Sequence, residues 1–247
     1  MRLGDWAPTG RTEVPHLCRV RPVGPPHPRA RSKRKGESEV GKGDAVRDSM
    51  LDLAERLAQL DDEKWNSPSL CAEWRVRDVV AHLIAGEEGV FGIGWALRSI
   101  VRQGFNYNRW VAADAQRRGQ HDPGVLLDAL RNAADARTVA PGGPPVKSLM
   151  HVLIHGQDIC RPLGITRQLP EAHLLEVADF VKDDRFIFGA KKRIAGCKLT
   201  ATDLDWTHGR GPDVTGPAEA LVMMMAGRLV ALDDLSGEGK ATLVARH

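Results

Sequence analysis

The sequence predicts a mainly α protein, an all-helical bundle of amphipathic segments followed by a small α/β domain. Three observations predict it. Apolar residues recur at helical spacing from Asp44 to about Cys160, Gly and Pro punctuate that stretch at intervals suited to helix ends, and the pattern changes to β-branched residues with Gly/Pro turns near Cys197. The length of 247 residues is enough for one large or two small domains, and 42% hydrophobic and 27% charged residues are ordinary globular proportions.

The first 43 residues stand apart. They hold ten Lys or Arg against four Asp or Glu, a balance of +6, whereas the remainder holds 25 against 28, a balance of −3. "RPVGPPHPRARSKRKGES" is too poor in apolar residues to offset the entropy of ordering it, so residues 1–43 are expected to be a disordered basic leader. Such an arm could touch nucleic acid or anionic surfaces, but an inert leader is the simpler expectation, and no nucleic-acid partner is called for.

The first helix is expected in "DAVRDSMLDLAERLAQLDDEKW", where Val46, Met50, Leu53, Leu57 and Leu60 share a face. After the polar connection "NSPSLCAEW", the stretch "RVRDVVAHLIAGEEGVFGIGWALRSIVRQG" gives a broad apolar stripe, with glycines that can bend or split it. A third region runs from about Asn106, breaks at "HDPG" and resumes as "VLLDALRNAADARTVA", stopped by Pro141, Pro144 and Pro145. The fourth helix carries "VKSLMHVLIHGQDICRPLG" and ends near Pro162 and Gly164. These helices make up an expected bundle over residues 44–170. A further helix in "LPEAHLLEVADFVKDD" opens the domain expected over residues 171–247. Strands are expected in "CKLTATDLDWTHGRGPDVTG", a helix in "PAEALVMMMAGRLVALDDL" with Pro217 at its first turn, and a closing strand in "ATLVAR".

No apolar stretch approaches the ~20 residues of a membrane span, and the N-terminus lacks an apolar signal core, so a soluble, cytoplasmic protein is expected. Cys18, Cys71, Cys160 and Cys197 are scattered without a CxxC pair, which points to reduced thiols and away from a Cys-type zinc site. "GIGW" and "HGRGP" lack the remaining residues of nucleotide-binding fingerprints.

The chemistry-bearing signal is a histidine pair. His151 and His155 lie four apart on the fourth helix, which puts their Cβ atoms about 6 Å apart on one face, where both can reach one divalent ion. A third ligand must come from elsewhere, and His82, inside the apolar stripe of the second helix, is the candidate that antiparallel packing would bring near. Three neutral imidazoles leave a coordination position open, as catalytic zinc centres do. A lone buried His is otherwise more often a hydrogen-bonded core residue, and HxxxH pairs also arise by chance.

The stretches "SLCAEWRVRDVVAHLIAGE", "HVLIHGQDICRPLG" and "LTATDLDWTHGRGPDVTGPAEALVMMMAGR" resemble, in that order, the motifs of the mycothiol-dependent maleylpyruvate isomerase family of actinobacteria, over about residues 50–245. The resemblance implies a DinB-like four-helix bundle that binds a metal and a C-terminal domain similar to sterol-carrier-like α/β folds. It implies that His82, His151 and His155 are the metal ligands, that the ion is zinc, and that mycothiol is the cosubstrate. The isomerase itself carries a glutamate at the position of His151, so this chain's three-His set is similar to that of other DinB-like thiol transferases. Arg228 matches a late Gly-Arg of the family pattern, which implies a catalytic cation for an acidic substrate. Zinc-bound thiolate would attack a small electrophile, giving cis–trans isomerisation or S-transfer. A metal-dependent hydrolase with bound water and a non-catalytic binding protein are the rival readings, and imidazole donors leave nickel, iron and manganese open beside zinc. Asp158 and Asp78 are placed to orient a ligand or to form helix-surface ion pairs, and Glu87 and Glu88 to add an acid–base group or simply to be solvated. His173 and His208 are expected at the surface, and Trp65, Trp74 and Trp206 as packing anchors.

Overall fold

Apolar spacing becomes helix packing almost throughout the computed structural model, which describes residues 35–87, 107–136 and 145–246. Helix α1, Lys35–Leu57, buries Val46, Met50, Leu53, Ala54 and Leu57 on one face. It starts ahead of the expected boundary at Asp44, because once the packed turns exist, each further residue adds a hydrogen bond at little cost. Residues 1–34 lie outside the described residues, as do residues 88–106 with most of the glycines expected to bend the second helix.

Asp61 caps the short α2, Asp62–Trp65, by accepting from the Lys64 N–H at 2.9 Å, and Trp65 is buried as an anchor. A tight connection from Asn66 to Arg75 follows, in which the Leu70 N–H donates to the Asp158 carbonyl at 2.9 Å. Helix α3 spans Val76–Glu87; α4, Tyr107–Arg118; α5, Pro123–Asp135; and α6, Pro145–Cys160. Asp122 caps α5 through the Gly124 N–H, with Pro123 just behind it, the arrangement that makes "HDPG" a break followed by a new helix. Helix α1 packs against α5 and α6, and α3 packs against α4, α5 and α6.

The C-terminal part begins with α7, Glu171–Val181, which packs on α6, and the short α8, Ala190–Arg193. Three strands, β1 (Lys198–Ala201), β2 (Thr207–Gly209) and β3 (Asp213–Gly216), form one sheet in the order β2-β1-β3. Strand β1 runs antiparallel to β2, with Leu199 opposite His208, and parallel to β3, with Leu199 opposite Val214. Helix α9, Ala218–Met225, is buried all round, which suits a helix pressed between α7 and the sheet. Pro217 is its N-cap rather than its first helical residue, and the Asp203 carboxylate accepts from the Ala218 N–H at 2.8 Å. Apolar residues of the bundle and of the C-terminal layers join in one core cluster.

One expected element is corrected. "ATLVAR" lies in helix α10, Lys240–Val244, not in a strand. Leu243 alone of the run is buried while Val244 is exposed, so the period-2 burial that a strand needs is absent.

Candidate metal centre

Helix α3 presents His82, and α6 presents His151 and His155 from one face, as the i, i+4 spacing requires. Packing of α3 on α6 brings the three rings together, with centroids 4.8 Å (His82–His151), 5.0 Å (His82–His155) and 4.9 Å (His151–His155) apart. The ring planes are nearly perpendicular in every pair, at 84°, 90° and 88°, so the imidazoles converge edge-on rather than stack. His82 Nε2 and His151 Nε2 are 3.0 Å apart, and one nitrogen from each ring lies within 4.8 Å of the others. Nitrogens bound to a tetrahedral zinc are about 3.4 Å apart, so this donor set is of the size a divalent ion fills. The His151 ring packs against Gly86, where a Cβ would come within 2.6 Å of His151 Cε1.

Burial is the largest influence on all three histidines. It lowers the pKa of His82 well below its ordinary value, with His151 and His155 adding to the effect, and takes His151 to about 4, assisted by Lys147. His155 is likewise lowered to about 4, burial outweighing its hydrogen bond to Asp158. At neutral pH the rings are therefore unprotonated, which is the ligating form.

Asp158, three residues beyond His155, is fully buried and accepts from His155 Nδ1 at 2.9 Å. A proton on Nδ1 leaves the lone pair on the other nitrogen of the ring. The same carboxylate receives Arg228 Nε at 2.8 Å and Nη2 at 2.5 Å, and Arg228 Nη1 donates to the Ala226 carbonyl at 2.8 Å. Burial alone would raise the Asp158 pKa, but the hydrogen bonds from Arg228 and His155 together outweigh it and hold the carboxylate far below its usual range. Arg228 reaches this place through the end of α9. Gly227 takes φ 88°, its N–H bonds to the Met224 carbonyl, and the Arg228 N–H bonds to the Met223 carbonyl, a Schellman ending that turns the chain toward α6.

Two neighbours of the trio were not identified as such from sequence. Cys71 donates from Sγ to Asp158 Oδ2 at 3.1 Å and lies 3.6 Å from His155 Nδ1; burial, then the Asp158 charge, push its pKa up and keep it a neutral thiol. Together Cys71, His155 and Asp158 make a second metal-sized grouping, but its carboxylate is already neutralised by Arg228. Trp74, expected as a packing anchor, lies beside two of the trio, 4.9 Å from His82 and 6.4 Å from His155 between centroids. Nothing in the spacing of "SLCAEW" signals either contact, which arises when the Leu70 backbone bond fastens that connection to α6.

Other candidates fall elsewhere. Asp78 does not orient His82: it accepts from the backbone N–H and the guanidinium of Arg75, closing the start of α3 as a capping box does. His208 sits on β2 beside Trp206, whose Nε1 donates to Asp179, and His173 is on α7. The Glu87 side chain and Glu88 lie outside the described residues.

Fold and geometry thus define a helical protein with a small C-terminal sheet and a three-imidazole candidate metal centre. A family model described as "Mycothiol maleylpyruvate isomerase N-terminal domain" matches residues 46–160, which hold all three histidines, so this part of the chain is similar to that domain family. Two solved structures are similar along most of the chain. Crystal structures of the mycothiol-dependent maleylpyruvate isomerase and of a histidine-to-alanine mutant of it align with TM-score 0.58, at 15% and 14% identity respectively, each covering 82% of this chain and 93% of the other. At that identity they bear on the fold. Comparison with curated protein sequences gives no match. No helix among the described residues is long and apolar enough to cross a membrane.

Proposed function

We propose that this protein is a cytoplasmic, metal-dependent enzyme of thiol chemistry, an isomerase or S-transferase that uses mycothiol with a small electrophilic substrate, and that His82, His151 and His155 hold a divalent ion, zinc first among the candidates. The observation that carries the reading is the convergence of three unprotonated imidazoles from α3 and α6, in a part of the chain similar to that domain family. When bound, the ion supplies the positive charge that lets a thiol lose its proton near neutral pH, where a free thiol, with pKa about 8.5, is mostly protonated.

The chain's own residues do the rest. Three neutral donors add no negative charge, so the site favours an anionic sulfur over a neutral ligand more than a site with a carboxylate would. Asp158 fixes the tautomer and orientation of His155, and Arg228 keeps Asp158 ionised and in place. Trp74 walls the site on the side of His82 and His155. With a conjugated alkene, a carbon–sulfur bond forms as the π electrons move to the conjugated acceptor; the carbon–carbon bond rotates, and the sulfur is expelled to leave the other geometric isomer. With a leaving group on the electrophilic carbon, the same attack ends in S-transfer. Arg228, expected from the family pattern to meet the substrate, is better read as a positioning residue, since Nε, Nη1 and Nη2 are all engaged by Asp158 and Ala226.

Metal analysis of the wild type and of His82→Ala, His151→Ala and His155→Ala tests the site. Near-stoichiometric metal in the first and little in the others is expected, and equal occupancy in all four would end the proposal. A sulfur charge-transfer band on adding mycothiol to the cobalt-substituted protein tests the thiol. Its absence at saturating thiol would favour the hydrolase reading.

A further inference from the structure

Among the described residues, two cations near the trio, Lys147 and Arg228, stand at opposite ends of it. Along α6 the order is Lys147, His151, His155 and Asp158, spaced i, i+4, i+8 and i+11, so Lys147 is one turn before the first of these histidines while Arg228 is anchored beyond the second. The Cβ atoms of Lys147 and His151 are about 6 Å apart by this spacing. Arg228 is spent on Asp158 and a backbone carbonyl, Arg161 on Glu219 and Asp234, Arg75 on Asp78, and Arg193 on the carbonyls of Phe188 and Met225. Lys147 is exposed, and no carboxylate among the described residues pairs with it. Its position in the first turn of α6, where the helix dipole disfavours a cation, gains the fold nothing. Its charge is nonetheless felt at His151.

We infer that Lys147 is a specificity-determining residue, the cation that receives an acidic group of the electrophile while the reacting carbon faces the open side of the three histidines. The inference rests on the proposed metal-dependent reading and adds to it which end of the site the acid occupies. Lys147, rather than Arg228, then selects anionic over neutral electrophiles. A flexible ammonium four carbons from the backbone suits this task, since it can follow an acid whose distance from the reacting carbon varies.

Maleate and its neutral dimethyl ester are the probes, used on the metal-loaded full chain. Calorimetric titration is expected to show maleate binding to the wild type, binding weakened about tenfold in Lys147→Gln, and recovery to within a few-fold in Lys147→Arg, with metal content equal in all three. In turnover with mycothiol, Lys147→Gln is expected to raise KM for maleate and to leave kcat, and both constants for the dimethyl ester, unchanged. Maleate that binds wild type and Lys147→Gln alike, or neither, overturns the assignment, as does an equal loss on both electrophiles. The thiol reading fails separately, if cobalt-substituted wild type gives no sulfur band with mycothiol.

Discussion

Asp158 is the residue on which the candidate centre turns, because one buried carboxylate serves His155, Arg228 and Cys71 at once. Asp158→Asn keeps the shape but removes the charge that steadies both the imidazole and the guanidinium, so metal affinity in a chelator competition is expected to fall about 10–100-fold. Thermal unfolding should register the change too, since it leaves the partly buried Arg228 without its counter-charge, a defect that costs about 3–5 kcal/mol in a fully buried pair and less here. The histidines also fix a pH dependence. His151 and His155 have pKa about 4 in the folded chain, against about 6.5 when unfolded, so between those values the unfolded chain binds protons that the folded chain refuses. The stability of the metal-free protein should therefore be full above about pH 6.5 and decline as pH falls toward 4. Denaturant midpoints at pH 7.5, 6 and 5 that did not fall in that order would contradict the burial described for these rings. At this scale the sequence was informative about the candidate histidines and silent about their neighbours. The i, i+4 spacing of His151 and His155 is a property of any helix, whereas the contacts of Cys71 and Trp74 depend on where a ten-residue connection is tied down.

The His151 ring of α6 lies against Gly86 of α3, in space that a side chain at that position would occupy. In Gly86→Ala the added methyl must displace the His151 ring, while the helix itself gains up to about 1 kcal/mol in propensity. The expected outcome is a metal-free protein that melts no more than a few degrees away from wild type but holds its ion at least tenfold more weakly; unchanged metal affinity would show that the ring yields without consequence. The end of α9 invites the opposite experiment. Gly227 needs φ 88°, so Gly227→Ala strains the Schellman turn and should lower stability by about 1 kcal/mol, with loss of the Arg228 contact to Asp158 showing as weaker metal binding. Element boundaries followed sequence wherever a cap and an apolar face agreed, as at "HDPG", where Asp122 and Pro123 open α5. They departed from it in "ATLVAR", whose β-branched residues carry no instruction once only Leu243 has a core to enter.

The described residues are organised around α6, which is buried along most of its length because α1, α3, α7 and α9 all contact it. Its last turns are also fastened to the C-terminal part by polar contacts. Gln157 and Arg161 reach Glu219, with Arg161 continuing to Asp234, and Asp158 takes Arg228. A fragment ending at residue 170 would expose apolar surface of α6 and leave Asp158 without its guanidinium. It is expected to be less soluble than the full chain and to bind metal more weakly by the same chelator competition; full metal affinity in the fragment would show that Arg228 has no part in holding the centre.

The sequence by itself determined the helical class, the changed character of the C-terminal part and the placing of His151 and His155 on one helix face, because periodicity, caps and i, i+4 spacing are local consequences of backbone geometry. Only the tertiary structure decided what surrounds them. That His82 meets the α6 pair, that Asp158 rather than Asp78 steadies a ring, and that Arg228 faces a carboxylate inside the protein all require segments distant in the chain to pack at specific depths, and packing depth is set by the joint fit of many side chains rather than by any one stretch.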